Sequence, residues 1–307
     1  MKEVYINPFT DFGFKKLFGE EQSKEMLIDF LNQLLPPEDQ IKTLTFHKNE
    51  HYARTEAERK AIFDLFCENE KGEKFIIELQ RAKQKNFMER TIYYATFPLQ
   101  EQAEPGKEWD FDLKGVYSIG ILNFILGSAL FPKEDLLHTA KLMNVKTGEV
   151  LYDKLTFIYL ETPKFTKTLD QLENRFDKWL FLLRNLHMLE NRPQQLQERV
   201  FENFFEIAQI SKLDKMEAHQ YQESLKSMRD YYNTIKYSRE EGREEGREVG
   251  REEGREEGRE VGREEGVTTV AINMLRLGAD IEFVAKSSNL TIEEVKALQL
   301  KIDEGEK

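Results

Sequence analysis

Two carboxylates and one amide lie inside apolar segments of the first half of the chain. Asp64 stands within Ile62–Phe66, and Glu78 stands within Phe75–Leu79, followed two positions later by Gln80. If the two segments form a hairpin, Glu78 and Gln80 point to one face and Asp64 lies toward the same end. Oxygen ligands suit Mg²⁺, with Mn²⁺ as a substitute, and phosphodiester hydrolysis uses such a cation. The spacing predicts that Asp64 and Glu78 bind the metal and that Gln80 orients water or phosphate.

A simpler explanation fits the same spacing. Strand alternation alone exposes a carboxylate to water, or a nearby Arg or Lys neutralises it. A carboxylate within a hydrophobic strand is costly to bury unless it is paired or bound to a metal. The residues by themselves therefore leave a structural and a catalytic explanation open. Asp11 has the same two explanations, as a further site residue or as the cap of the first helix.

The surrounding patterns predict the elements that position these side chains. Helical spacing runs from Phe14 to Leu31 and stops at Pro36-Pro37, and a second helix covers Asn86–Gln102 with a bend near Pro98. Strands are predicted at Lys60–Cys67, Lys74–Gln80, Gly115–Leu126 and Leu155–Leu160, with a turn at Glu70–Glu73 between the first two. The order of helices and strands predicts a mixed sheet with helices packed on it.

The second half of the chain is predicted to be helical throughout. Residues 165–238 carry apolar stripes that we assign to a core, without chemistry. Residues 239–266 repeat Arg-Glu-Glu-Gly or Arg-Glu-Val-Gly, which fits a glycine-mediated helix pair or a solvated spacer. Residues 267–307 form a small module of three helices, which binds a partner or DNA. We favour homo-oligomerisation through this helical C-terminal region.

Composition limits the classes of protein and of site. The formal net charge is -12, of which the repeat contributes -5, so a DNA-binding face has to be a local patch. The single cysteine, Cys67, excludes an internal disulfide framework and a zinc site of several cysteines. No apolar run is long enough for a membrane span, and the N-terminus lacks a signal-peptide pattern. We therefore expect a cytoplasmic protein without a membrane partner.

Five segments in order give the chain a family resemblance. They are Thr10–Gly19, Phe63–Leu65, Phe75–Gln80, Phe87–Tyr94 and Tyr159–Phe165. With these segments, the chain resembles the recombination-promoting nuclease and transposase family of the PD-(D/E)XK nuclease superfamily. The resemblance implies an α/β restriction-endonuclease-like core in residues 1–164, with a mixed central sheet flanked by helices. It also implies an Mg²⁺-dependent DNA endonuclease with Asp64, Glu78 and Gln80 in the catalytic positions.

One position departs from the superfamily pattern. Gln80 stands where the superfamily more often has Lys, so we expect Lys83 or Lys15 to supply the positive charge. Candidate DNA-binding residues are Arg81, Lys85, Arg90 and Tyr94. Arg90 and Tyr94 share one helix face, where they contact phosphate or serve packing and an ion pair.

Three functions remain open at this point. The first is an active endonuclease in recombination, mobile-element biology or defence against foreign DNA. The second is a catalytically silent DNA-binding protein that keeps the nuclease fold. The third is an oligomeric scaffold that acts chiefly through its helical C-terminal part.

Overall fold

The computed structural model describes residues 3–47, 50–51, 61–103, 112–127 and 131–305. The helices of these ranges are α1 Asp11–Phe18, α2 Lys24–Asn32, α3 Phe87–Glu101, α4 Arg175–Asn185, α5 Arg199–Ile207, α6 Lys215–Arg276, α7 Ile281–Ser288 and α8 Ile292–Gly305. The strands are β1 Leu44–Phe46, β2 Glu50–His51, β3 Ala61–Ile62, β4 Leu65–Asn69, β5 Lys74–Gln80, β6 Val116–Leu122, β7 Leu137–Met143 and β8 Val150–Glu161.

Six of the strands form one mixed sheet in the order β1-β4-β5-β6-β8-β7. Strand β5 pairs antiparallel with β4 and parallel with β6, and β6 pairs parallel with β8. The outer pairs, β1 with β4 and β7 with β8, are antiparallel. The predicted mixed sheet with flanking helices is therefore confirmed, together with its central hairpin and the helical C-terminal region.

The two faces of the sheet pack against different helices. Phe75, Ile77 and Leu79 belong to the large core, which also holds the apolar faces of α1, α2, α4 and α5. Ile76, between them, packs on the other face with aromatic residues that include Tyr94 of α3. Because side chains alternate along a strand, residues 78 and 80 share the face that α3 covers. This alternation places a carboxylate and an amide between the sheet and a helix.

Two of the predicted elements are divided in the structure. The helical pattern from Phe14 to Leu31 forms α1 and α2, with Gly19 as the C-cap of α1 and a short 3-10 helix at Glu21–Ser23 before α2. The predicted strand Lys60–Cys67 forms β3 and β4, with Asp64 in a bend between them, and Lys60 lies outside the described residues. Asp64 is therefore held in a bend rather than in a strand.

The outer part of the sheet also differs from the prediction. Strand β7 was not predicted, because its half-exposed sequence shows no clear alternation of apolar and polar residues. Strand β8 begins at Val150 rather than Leu155, since its first half pairs only with β7. Strand β6 ends at Leu122, after which the chain leaves the sheet.

Gly13 of α1 is expected to tolerate no side chain. A Cβ there would lie 2.1 Å from the carbonyl oxygen of Asn7 and 2.6 Å from the hydroxyl of Thr10, which caps α1. We expect Gly13→Ala to lower the free energy of unfolding by about 1–3 kcal/mol, as overpacking does. Gly250→Ala is the matched control, because that helical glycine has open space around it, and Ala there stabilises the helix by about 1 kcal/mol. Urea unfolding followed by circular dichroism compares the two, and equal effects would contradict this packing.

The chain divides into two compact units, Met1–Met228 and Arg229–Lys307. Helix α6 includes the whole glycine repeat, whose residues are all exposed. In the second unit, Ala271, Leu275, Val284 and Val295 form a small core. Two of its predicted helices form α7 and α8, while the predicted first helix is the end of α6, followed by Gly278 at a φ of +83°. Among the described helices, none has the length and apolar character that crossing a membrane requires.

Candidate active site

The site lies where the central strand β5 ends. Glu78 pairs with Gly120 of the parallel strand β6, so the neighbouring strand has no side chain beside the carboxylate. A Cβ at Gly120 would lie 3.3 Å from Tyr159 and 3.4 Å from Phe87, the first residue of α3. Helix α3 therefore packs closely over this part of the sheet, and Glu78 is only 8% exposed.

Two hydrogen bonds join Asp64 to strand β5. The backbone N–H of Leu79 donates to Asp64 Oδ2 at 2.7 Å, and the backbone N–H of Asp64 donates to Glu78 Oε1 at 3.3 Å. The bend before β4 makes this possible, because it turns the backbone of Asp64 toward β5. The structure thus brings together the two carboxylates that the sequence singled out.

Burial makes ionisation of this pair unfavourable. Burial, and then the negative charge of Asp64, raise the pKa of Glu78 to about 8, and the charge of Arg90 lowers it only in part. The pKa of Asp64 is also raised, first by burial and further by the charge of Asp11. Two carboxylates that repel each other in a poorly solvated place are stabilised by a cation.

A chain of side-chain hydrogen bonds extends from Glu78 to α3. The Gln80 amide donates from Nε2 to Glu78 Oε2 at 3.1 Å, and its Oε1 accepts from Arg90 Nη2. The other terminal nitrogen of Arg90 donates to Oε1 of Gln84. The guanidinium also lies 5.9 Å from the ring centre of Tyr94, which packs on Phe63. Arg90 and Tyr94 therefore share a face, as predicted, and that face is turned to the site.

The remaining predicted residues lie at different distances from the pair. Asp11 is the first residue of α1 and forms a 3.0 Å ion pair with Lys15. Together with Arg81, Lys15 lowers the pKa of Asp64, so both cations lie on that side of the site. Lys83 instead donates to the carbonyl oxygen of Leu126 at 2.7 Å. Lys85 is exposed, and no described contact joins it to the carboxylates.

A cleft of about 930 Å³ lies between α1 and the start of α6, and it is bordered by Leu65, the residue that follows Asp64. Its walls include Asp11, Lys15, Leu65, Arg81, Gln220 and Ser224. The last two belong to the start of α6, a region to which the sequence pattern assigned only packing. Ser224 accepts a hydrogen bond from the backbone of Phe12 at 3.2 Å, so α6 is fixed against α1 here. Gln84, Gln220 and Ser224 were missed because no local pattern connects them with β5.

The donor set at Asp64 and Glu78 fits a hard divalent cation. Mg²⁺ is commonly bound by one or two carboxylates, with water and substrate phosphate as its other ligands. Among the described residues, no three His, Cys, Asp or Glu side chains converge into a larger metal cluster. Two neighbouring carboxylates, Glu78 buried and Asp64 partly buried, match the smaller kind of site.

Comparison with known proteins assigns the chain to a family. The model of the PD-(D/E)XK nuclease family transposases matches residues 8–238. The chain belongs to this family. No curated protein and no solved structure matches the chain. The matched range of this nuclease family contains both carboxylates, Gln80, Arg90 and the start of α6.

Another buried carboxylate, besides Asp64 and Glu78, lies at the same edge of the sheet in this PD-(D/E)XK domain. Glu161 is 1% exposed and lies 3.1 Å from Nε2 of His138, and it also pairs with Lys164 and accepts from the N–H of Leu126. Although burial acts against it, these partners hold the pKa of Glu161 below its ordinary value. The Tyr159–Phe165 segment of the resemblance therefore contains a structural ion cluster that fastens the connection between β6 and β7.

Removing this carboxylate is expected to destabilise the fold. Glu161→Ala leaves the charge of Lys164 buried without its partner, which costs about 3–5 kcal/mol in comparable cases. Glu149→Ala is the control, because that exposed glutamate on the same hairpin should change stability by less than about 0.5 kcal/mol. Urea unfolding of both variants measures the difference, and a loss under 1 kcal/mol for Glu161→Ala would contradict the role of the cluster.

Proposed function

We propose that this PD-(D/E)XK protein is a divalent-cation-dependent DNA endonuclease that hydrolyses phosphodiester bonds. The observation that carries the proposal is the pair of hydrogen bonds that hold Asp64 beside Glu78 at the end of β5, from Leu79 N–H to Asp64 Oδ2 and from Asp64 N–H to Glu78 Oε1. Both carboxylates have a raised pKa, and Leu65, which follows Asp64, lines an open cleft. Structural carboxylates such as Glu161 are instead compensated by cations, and the pKa of Glu161 is lowered.

Asp64 and Glu78 would hold Mg²⁺, for which Mn²⁺ is a substitute. When bound, the cation supplies charge for the phosphate and lowers the pKa of a water nucleophile. The chain itself fixes the geometry, because the N–H groups of Leu79 and Asp64 and the amide of Gln80 hold the carboxylate oxygens. Preorganised groups of this kind need no rearrangement when negative charge develops on the substrate.

Positive charge flanks the pair on two sides. Lys15 and Arg81, which line the cleft, act on Asp64, and Arg90 acts on Glu78, so a cation lies near each carboxylate. Asp11 supports this arrangement indirectly, by pairing with Lys15. Lys85 and Tyr94 contact the DNA backbone farther from the reacting phosphate, while Lys83 fastens the loop after β6.

We assign the parts of the chain as four segments. Residues 1–164 are the nuclease-like domain, 165–238 a helical region, 239–266 a repeat helix and 267–307 a small module. Homo-oligomerisation is assigned to the helical C-terminal region, where exposed Leu277, Phe283 and Leu300 give the module an apolar surface. Recombination, mobile-element biology and defence are the processes in which such a nuclease acts on DNA.

A catalytically silent DNA-binding protein is the second candidate. The observation in its favour is that both ends of the Gln80 amide are engaged in hydrogen bonds within the protein. Gln80 therefore serves as a connector between Glu78 and Arg90, and it carries no charge of its own for a phosphate.

Conversion of supercoiled plasmid distinguishes the two candidates. We expect the full chain to nick and then linearise plasmid in Mg²⁺ or Mn²⁺, and to do neither in EDTA. Folded protein that retards plasmid in a gel without converting it in any metal would overturn the endonuclease and favour the silent binder. RNA of the same length, included as a competitor, tests the choice of DNA.

A further inference from the structure

Arg90 is held unusually for a half-buried cation. Its two described hydrogen bonds go to neutral amide oxygens, those of Gln80 and Gln84, and its guanidinium lies 5.9 Å from the ring centres of Phe87 and Tyr94. Within the part of the chain that the structure describes, Arg90 forms no ion pair with a carboxylate. The guanidinium of an arginine stays charged in proteins.

The position of this charge is set by the site. Gln80 bonds both to Arg90 and to Glu78, so the guanidinium is one side chain away from the carboxylate pair. A guanidinium has five N–H groups, and the two described bonds use one on each terminal nitrogen. The other donors of the planar guanidinium are able to bind two oxygens of one phosphate, which is the two-pronged fashion in which arginine binds phosphate.

We propose that Arg90 is a catalytic residue that contacts the phosphate being cleaved, with Gln80 and Gln84 as its positioning residues. This inference rests on the proposed nuclease function. During hydrolysis a water oxygen bonds to phosphorus, one phosphorus–oxygen ester bond breaks, and the departing oxygen takes a proton that the water gives up. Arg90 keeps its protons throughout and donates hydrogen bonds to the non-bridging phosphate oxygens, where negative charge increases.

Cleavage rates of matched variants test the catalytic part. We expect Arg90→Gln to lower the rate by about 100-fold or more, as loss of one charge-stabilising donor does. Arg90→Lys should recover only a fraction, because an ammonium lacks the two-pronged geometry. Gln84→Ala should lose less than Arg90→Gln, and Glu89→Gln, an exposed neighbour on α3, is the control at wild-type rate. Wild-type cleavage by Arg90→Gln would overturn the proposal.

Chemical rescue separates a catalytic arginine from a structural one. Adding methylguanidine at millimolar concentration to Arg90→Ala should restore cleavage at least about 10-fold, because the small cation occupies the place between the amides and the phosphate. The same addition should not restore Asp64→Asn. No rescue of a folded Arg90→Ala variant would count against direct contact with the phosphate.

DNA binding gives a readout that does not depend on cleavage. Fluorescence anisotropy in Ca²⁺ measures how the affinity for duplex DNA falls with salt, for the wild type and for Arg90→Gln. Loss of one phosphate contact should reduce the slope of log affinity against log salt by about 0.9. If Arg90→Gln leaves the slope unchanged, the proposed contact of Arg90 with phosphate is wrong, even if the wild type cleaves DNA. If the wild type fails to cleave DNA, the proposed nuclease function is wrong instead. The difference in salt slope between the wild type and Arg90→Gln then still decides whether Arg90 binds phosphate.

Discussion

Changing Asp64 to asparagine or Glu78 to glutamine is expected to lower metal-dependent DNA cleavage by about 10³-fold or more, while the fold is retained. Each carboxamide keeps the size of the side chain and an oxygen that accepts the backbone N–H at this site. It removes the negative charge that holds a divalent cation. Initial rates of plasmid nicking in Mg²⁺ and in Mn²⁺ measure the loss.

The control for these two variants is Glu89→Gln, an exposed carboxylate on α3. It loses the same charge at a place where no contact with the site is described, so its rate should equal that of the wild type. Circular dichroism of all three variants checks that they are folded. If Asp64→Asn and Glu78→Gln cleave at a rate within about 3-fold of the wild-type rate, the carboxylate pair is not the catalytic centre. A change of that size corresponds to less than about 1.4 kcal/mol of activation free energy, the value of a tenfold change.

The second large effect is a loss of stability of the metal-free protein as the pH rises. Burial, followed by the charge of Asp64, raises the pKa of Glu78 from 4.5 to about 8 in the folded state. A raised pKa contributes stability that is full below about pH 4.5 and is lost as pH rises through about 8. The loss over this range is on the order of 3–5 kcal/mol, because one pKa unit is worth about 1.4 kcal/mol.

Urea unfolding in EDTA at several pH values measures this loss. Glu78→Gln has no ionisable group at the position, so the difference between wild type and variant isolates the contribution of Glu78. Divalent cation should restore stability chiefly at the upper end of the range, since it binds the ionised carboxylates. Parallel pH profiles for wild type and Glu78→Gln in EDTA would show that Glu78 titrates normally.

Local signals in the sequence predicted the arrangement at the centre of the candidate site. Alternation along Lys74–Gln80 placed Glu78 and Gln80 on one face, and the turn before it predicted the hairpin with Lys60–Cys67, of which the part after Asp64 forms β4. These signals are local, because they depend on the two-residue period of a strand. Helix α3 was also predicted, and the i, i+4 spacing of Arg90 and Tyr94 placed them on one face of it.

Other features depend on contacts between distant parts of the chain. The bonds of Arg90 to Gln80 and Gln84 require α3 to fold back over β5, which helical spacing alone does not specify. The wall that α6 gives to the cleft joins residues more than 200 positions apart, as the bond from Phe12 to Ser224 shows. Lys83 had been expected to supply charge to the site, but the loop that contains Leu126 binds it instead.

The first helical pattern divides into α1 and α2 after Phe18, with Gly19 as the C-cap of α1. Apolar spacing continues through Gly19, but the close approach of Leu65 leaves no room for a side chain there. The same contact places the chain just after Asp64 against the end of α1.

Manganese binding measured by electron paramagnetic resonance tests most directly whether Asp64 and Glu78 hold the cation. Mn²⁺ is titrated into wild type, Asp64→Asn, Glu78→Gln and the Glu89→Gln control, and the free ion signal is followed. We predict that wild type and the control bind at least one Mn²⁺ per chain and that both site variants lose it. Equal Mn²⁺ binding by all four proteins would contradict the metal site on which the proposed nuclease depends.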